Sequence, residues 1–165
     1  MVLDPGAERA GSARDRRRRF AARCSLEGLG SSVGGKVLII DDDPALLRLM
    51  SMAFQQAGFN TVAADNGRKG IRMAGAHRPD LVVTDIVMPD IEGIGAIRAI
   101  KQSARPPKVI AISGAGRARG ADYLGWARHL GADAVLAKPF RMSELMKISK
   151  SVIANEIQDA QDLGA

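Results

Sequence analysis

The feature that most restricts this chain is a recurrence: short runs of β-branched and apolar residues, each followed by a segment with apolar residues at helical spacing. That alternation marks repeated βα units, because parallel neighbouring strands need a crossover long enough to hold a helix. The runs are Lys36 to Ile40 (KVLII), Asn60 to Ala64 (NTVAA), Leu81 to Thr84 (LVVT), Val109 to Ile112 (VIAI) and Ala134 to Ala137 (AVLA). The first is continuously apolar after its lysine, as a central parallel strand covered on both faces requires. The second is shorter in apolar content and weaker.

The segments between carry helix punctuation. Asp43 is placed to cap a helix whose first residue is Pro44, and Gly58 lies just past the apolar face of Leu46, Leu47, Leu49, Met50 and Phe54. Helices are expected around Gly67 to Ala76, Gly93 to Gln102, Arg119 to Leu130 and Met142 to Ile157. The last opens on Ser143 and Glu144 and carries Leu145, Ile148, Val152 and Ile153 at helical spacing. Right-handed crossovers then give an open, doubly wound α/β sheet with helices on both faces.

A chain of 165 residues has room for one sizeable core, so one domain is expected over 36–157, with tails at 1–35 and 158–165. No stretch approaches the roughly 18 consecutive apolar residues of a membrane helix, so no membrane insertion is expected. Cys24 is the only cysteine, which excludes an internal disulfide and a thiolate zinc cluster and points to a reducing cytoplasm. Of the net charge of +6, residues 1–35 contribute half, with seven arginines against four acids. That Gly-, Ser- and Arg-rich segment buries too little apolar surface to offset ordering entropy, and a disordered basic tail is expected. Its run Arg16 to Arg19 has only Phe20 as an aromatic companion, which argues against nucleic-acid binding, and Ala21-Ala22-Arg23-Cys24 follows it in place of a signal-peptide core.

Ligands of open α/β sheets bind beyond the carboxyl ends of the strands. There the first strand delivers Asp41-Asp42-Asp43, the third Asp85, the fourth Ser113 and the fifth Lys138-Pro139. Clustered carboxylates repel one another and call for a cation; an all-oxygen set of this kind suits Mg²⁺. An ammonium and a hydroxyl aimed at the same point make the site complementary to a phosphoryl group, with Asp85 as the nucleophile that forms an acyl phosphate.

KVLIIDDDPALLRLM, LVVTDIVMPDIEG, IAISG and LGADAVLAKPF together resemble the receiver domains of two-component response regulators, CheY-like proteins, across about Lys36 to Asn155. The resemblance implies a flavodoxin-like (βα)5 sheet in strand order 2-1-3-4-5. It implies that Asp41 and Asp42 hold Mg²⁺, that Asp85 is the phosphoacceptor, and that Val87 gives its backbone carbonyl to the metal. Ser113 would bond the phosphoryl group, Lys138 would neutralise one of its oxygens, and the Lys138-Pro139 bond would be cis. A histidine kinase or phosphotransfer protein would be the donor. The fourth helix, fifth strand and fifth helix would meet a downstream protein, and Tyr123 and Trp126 on the fourth helix either join that face or pack into the core. No output domain is expected after the last helix, so the chain reads as a stand-alone regulator that assists its own phosphotransfer without being an enzyme. The rival reading is a phosphorylation-independent scaffold with the same fold.

Two departures stand out. Val135 occupies the position, three before Lys138, where the family often has Tyr or Phe, which puts aromatic coupling to the hydroxyl in doubt. Val87, two after the acceptor, is unable to orient a hydrolytic water, so slow self-dephosphorylation is expected; the glycine-rich stretch Gly114 to Gly120 is expected to be mobile. Other polar residues have ordinary roles: Asp43 as a cap, Asp90 and Glu92 as turn residues, His77 and His129 at helix ends, Cys24 as an inert thiol. Asp85-Ile86-Val87 lacks the second aspartate of a haloacid-dehalogenase-type phosphatase, and Gly93-Ile94-Gly95 lacks the third glycine of a dinucleotide fingerprint.

Overall fold

The computed structural model describes residues 35–88, 93–114, 125 and 127–162. In chain order the elements are β1 (Lys36–Ile40), α1 (Pro44–Gln56), β2 (Asn60–Ala64), α2 (Gly67–His77), β3 (Leu81–Asp85), α3 (Gly93–Lys101) and β4 (Lys108–Gly114). Helical residues 125 and 127–129, the described part of α4, precede β5 (Ala134–Lys138) and α5 (Met142–Asp162). The strands form one 5-stranded sheet in the order β2-β1-β3-β4-β5, every pairing parallel. This is the expected α/β architecture and strand order, with each expected strand present.

Alternation along the strands builds two cores. Val37, Ile39, Leu81, Val83, Ile110, Ile112 and Leu136 face α1 and α5, where Met50, Phe54, Leu145, Val152 and Ile153 meet them. Leu38, Ile40, Val82, Val109 and Ala111 face the opposite layer of α2, α3 and α4, against Ile97, Ile100 and Ala127. Full burial of a side chain such as Phe54 or Leu145 contributes about 1.5–3 kcal/mol. All five residues of β3 are buried, which is why its sequence reads as a continuous run with no alternation.

Local chemistry fixes the helix ends. Asp43 caps α1, its Oδ1 accepting from the N–H of Ala45 at 2.8 Å and of Leu46 at 3.2 Å. A cap of this kind stabilises a helix by about 1 kcal/mol. Past the other end of α1, Gly58 adopts φ 87, a left-handed conformation that glycine takes without steric penalty. Gly70 of α2 has a different reason: a Cβ there would lie 2.4 Å from Cδ1 of Ile40, so α2 packs down on β1 only because this side chain is missing.

The edges differ in detail from the sequence reading. β3 takes in Asp85, β4 runs from Lys108 to Gly114, and α5 continues to Asp162 beyond the expected Ile157. The extension of α5 follows from its sequence, since no Gly or Pro interrupts it before Gly164. Two aspartates tie loops to strands. Asp80 accepts from the Lys36 N–H at 2.7 Å, and Asp133 accepts from the Val109 N–H at 2.8 Å and from Lys101 Nζ at 2.6 Å. The expectations for the 1–35 tail short of residue 35, for Asp90, Glu92 and 115–120, and for Tyr123 and Trp126 fall outside the described residues. Among the described residues, no helix is long and apolar enough to cross a membrane.

Candidate functional site

The carboxyl ends of β1, β3 and β5 meet in an acidic pocket. Asp41 follows the last residue of β1, and its N–H donates to the carbonyl of Ala64 at 3.1 Å, so β2 holds the backbone in place there. Its side chain is fully buried, and Oδ1 accepts from the Asp43 N–H at 2.8 Å. Asp85 closes β3 opposite Ile112 of β4, and the next N–H, that of Ile86, donates to the Ile112 carbonyl at 2.8 Å. Asp85 is 5% exposed, and its Oδ1 accepts from the Val87 N–H at 3.0 Å. Thr84, buried just before it, donates its hydroxyl to the Asp85 carbonyl at 2.9 Å.

Lys138 joins these groups. It ends β5 in register with Gly114. Its Nζ lies 2.5 Å from Oδ2 of Asp85 and 3.0 Å from Oδ2 of Asp41. The exposed Asp42 completes the set: one carboxylate oxygen each from Asp41, Asp42 and Asp85 lie within 4.8 Å of one another. Residues separated by 97 and 53 positions along the chain therefore share one ammonium.

The charge state follows from these contacts. Burial pushes the Asp41 carboxyl above its ordinary value, and this outweighs the hydrogen bonds from Asp43 and Lys138 that favour the charged form. For Lys138 burial opposes the charged form, but hydrogen bonds and attraction from Asp85 and Asp41 prevail and hold it above its ordinary value. Among the described residues, the cluster of Asp41, Asp42 and Asp85 meets one ammonium, that of Lys138 on Asp41 and Asp85, so oxygen donors outnumber the positive charge beside them. That donor set fits a small, hard divalent cation and is poorly matched to soft metals, which favour sulfur and nitrogen.

The remaining expected residues are placed as follows. Ser113 is 1% exposed on β4, one position beyond the partner of Asp85, and its Oγ lies 3.4 Å from the Gly114 carbonyl, a long contact. Val87, two residues after Asp85, is 55% exposed. Val135 packs half-buried against the core layer under α2, α3 and α4. The Lys138-Pro139 bond is cis, as the resemblance implied. The sequence reading passed over Thr84, although a polar residue in the last apolar position of a fully buried strand was a usable signal.

Comparisons with known proteins agree with this geometry. The model of the response regulator receiver domain family matches residues 37–150. The chain is similar to protein PilH of Pseudomonas aeruginosa, 29% identical over 119 residues that cover 72% of this chain and 98% of PilH. It is also similar to the transcriptional regulatory protein KdpE of Mycobacterium tuberculosis, 30% identical over 125 residues, 76% of this chain and 54% of KdpE. The chain spans about half the length of the transcriptional regulators it matches, 58%, 47% and 54% in three cases. Among solved structures it resembles the signal receiver domain of NarL from Mycobacterium tuberculosis, with a TM-score of 0.66, 25% identity and coverage of 73% and 97%. The chemotaxis response regulator CheY4 of Vibrio cholerae shares the fold, with a TM-score of 0.65, 24% identity and coverage of 72% and 98%.

Proposed function

The chain belongs to the response regulator receiver domain family, and from that premise we propose that it is a signalling switch which accepts a phosphoryl group on Asp85. The observation that carries this reading is the placement of Lys138 Nζ on both Asp85 and Asp41. A carboxylate at the bottom of a polar pocket, held beside a lysine that will also meet incoming phosphoryl oxygens, is arranged to become an acyl phosphate.

The donor is a phosphohistidine on a histidine kinase or phosphotransfer protein. An oxygen of Asp85 forms a bond to phosphorus as the phosphorus–nitrogen bond breaks, and the imidazole leaves with the electron pair and takes up a proton. Asp85 is held ready by the Val87 N–H on one oxygen and by Lys138 on the other. Asp41, Asp42 and Asp85, with the carbonyl of Val87, would hold Mg²⁺. When bound, the ion supplies the positive charge that three carboxylates and a phosphoryl group require. Ser113, one position beyond the partner of Asp85 on β4, is the hydroxyl that would bond the product.

The switching unit is the domain at 36–157, acting in the cytoplasm as a phosphoacceptor that assists its own transfer and turns over no substrate. Its output is a protein partner, met through α4, β5 and α5. Incubation with Mg²⁺ and acetyl phosphate followed by intact mass spectrometry tests the reading. A gain of one phosphoryl group, absent in Asp85→Asn, is expected; no gain, with the protein folded, turns the assignment toward a phosphorylation-independent scaffold.

A further inference from the structure

At the other end of the sheet, where β3 and β4 begin, a cavity of about 390 Å³ opens between α2 and α3. Ile71, Ala74, Ala99 and Ile100 form apolar walls with Pro79 and Pro107, and Arg78 and Arg105 stand among the lining residues. Its size falls within the ordinary range of small-molecule sites, about 300–1,000 Å³.

Three observations bear on what this cavity can hold. Gly75 lines it in the last turns of α2, and a Cβ built there would meet no heavy atom within 4 Å. Gly75 is exposed at the cavity's edge, so unlike Gly70 it is not held by contact, and a larger side chain there would have room to enter the cavity. Arg78 is the C-cap of α2, its N–H donating to the Ala74 carbonyl at 3.0 Å, and its left-handed φ of 47 fixes the backbone from which its side chain leaves the helix end. Arg78 is exposed and Arg105 half-buried, and among the described residues neither guanidinium has a hydrogen-bond or ion-pair partner.

The two arginines are not needed to balance the helix ends. The last carbonyl of α2, that of His77, already accepts from Lys36 Nζ at 2.9 Å. A helix carboxyl end carries only about half a negative charge. The nearby carboxylate, Asp80, is engaged by the backbone N–H of Lys36 at 2.7 Å. An apolar cavity edged by two guanidinium groups that have no partner among the described residues is complementary to one class of ligand.

We propose that the cavity between α2 and α3 binds a small organic anion, an apolar body inserted beside Gly75 and a carboxylate or phosphate head held by Arg78 and Arg105. The site is separate from Asp85 and independent of phosphorylation there.

Titration of the ¹⁵N-labelled protein with decanoate, decyl phosphate and 1-decanol, followed by amide NMR, tests this. Decanoate or decyl phosphate should give saturable shifts confined to residues 71–79 and 99–108, and the stronger of the two identifies the head group. Decanol should bind at least roughly tenfold more weakly, the effect of losing charge-assisted hydrogen bonds. Gly75→Phe, which fills the cavity, and independently Ala104→Phe should abolish the shifts, while Arg78→Gln with Arg105→Gln should weaken them roughly tenfold. Equal binding of decanol, shifts centred on residues 41, 85 and 138, or undiminished binding in folded filling variants would overturn the proposal. None of these outcomes bears on phosphorylation of Asp85, which the mass assay reads separately.

Discussion

Replacing Lys138 by methionine keeps most of the side-chain volume and removes the ammonium shared by Asp41 and Asp85. The two carboxylates left behind are 0% and 7% exposed at the side chain, while Lys138 itself is 25% exposed. Removing one partner of a buried charge pair costs about 3–5 kcal/mol. With part of the lysine in water, the lower end applies, about 3 kcal/mol. For a domain of this size that corresponds to a fall in Tm of about 10–15 °C. The pH dependence is the sharper test. The Asp41 carboxyl is already above its ordinary value because of burial, and loss of the lysine raises it further. A group whose folded value is raised binds its proton more tightly in the folded state, so that stabilisation is full below the unfolded value and lost as pH rises through the folded one. The stability gap between Lys138→Met and wild type should therefore be widest near neutral pH and narrow as the medium becomes acidic. Magnesium should narrow it as well, by supplying positive charge to the same oxygens. Urea unfolding of both proteins across a pH series, with and without magnesium, measures the gap. A gap under 1 kcal/mol at neutral pH, or one that widens on acidification, would refute the reasoning.

Alkali should unfold the wild type through the same contact: the Lys138 value is raised above 10.5, so its stabilisation is complete below 10.5 and lost as pH climbs past the folded value, an effect absent from Lys138→Met in the same titration. Gly75→Ala should raise stability by about 0.5–1 kcal/mol, because a Cβ there meets nothing, whereas Gly70→Ala should lower it by about 1–3 kcal/mol, because its Cβ would fall 2.4 Å from Ile40 Cδ1; paired urea melts read both. Asp133→Ala strands the Val109 N–H and frees Lys101, and should cost about 2 kcal/mol by the same measurement. With an apolar, exposed Val87 beside the acceptor, the acyl phosphate should persist for minutes after donor removal, as followed by intact mass; a lifetime of seconds would show that water is activated by another route.

Most of the fold was legible because each strand of the sheet is a local apolar run and each helix has its own punctuation, so Asp43, Pro44 and Gly58 bound α1 by chemistry that acts within a few residues. The positions of Asp41, Asp85 and Lys138 at strand ends were legible for the same reason, once the strands were found. That one ammonium would touch both carboxylates was not, because it depends on the reach of a side chain across β4. Nor was the role of Asp133, whose three partners lie on α3 and β4, or of Thr84, whose hydroxyl is engaged by its own neighbour. The true end of α5 was missed because it was set by the last apolar contact, whereas helix-forming residues continue beyond it. Gly70 and Gly75 look alike in sequence, and only the space around each separates a packing requirement from a cavity wall.

Whether Asp85 receives the phosphoryl group is decided by locating the modification. The protein, phosphorylated by a small-molecule donor, is reduced with borohydride, which converts an acyl phosphate to the alcohol, and is then digested and sequenced by mass spectrometry. The reduced side chain is expected at residue 85. A label on another aspartate, or an unreduced phosphate on Ser113, would contradict it.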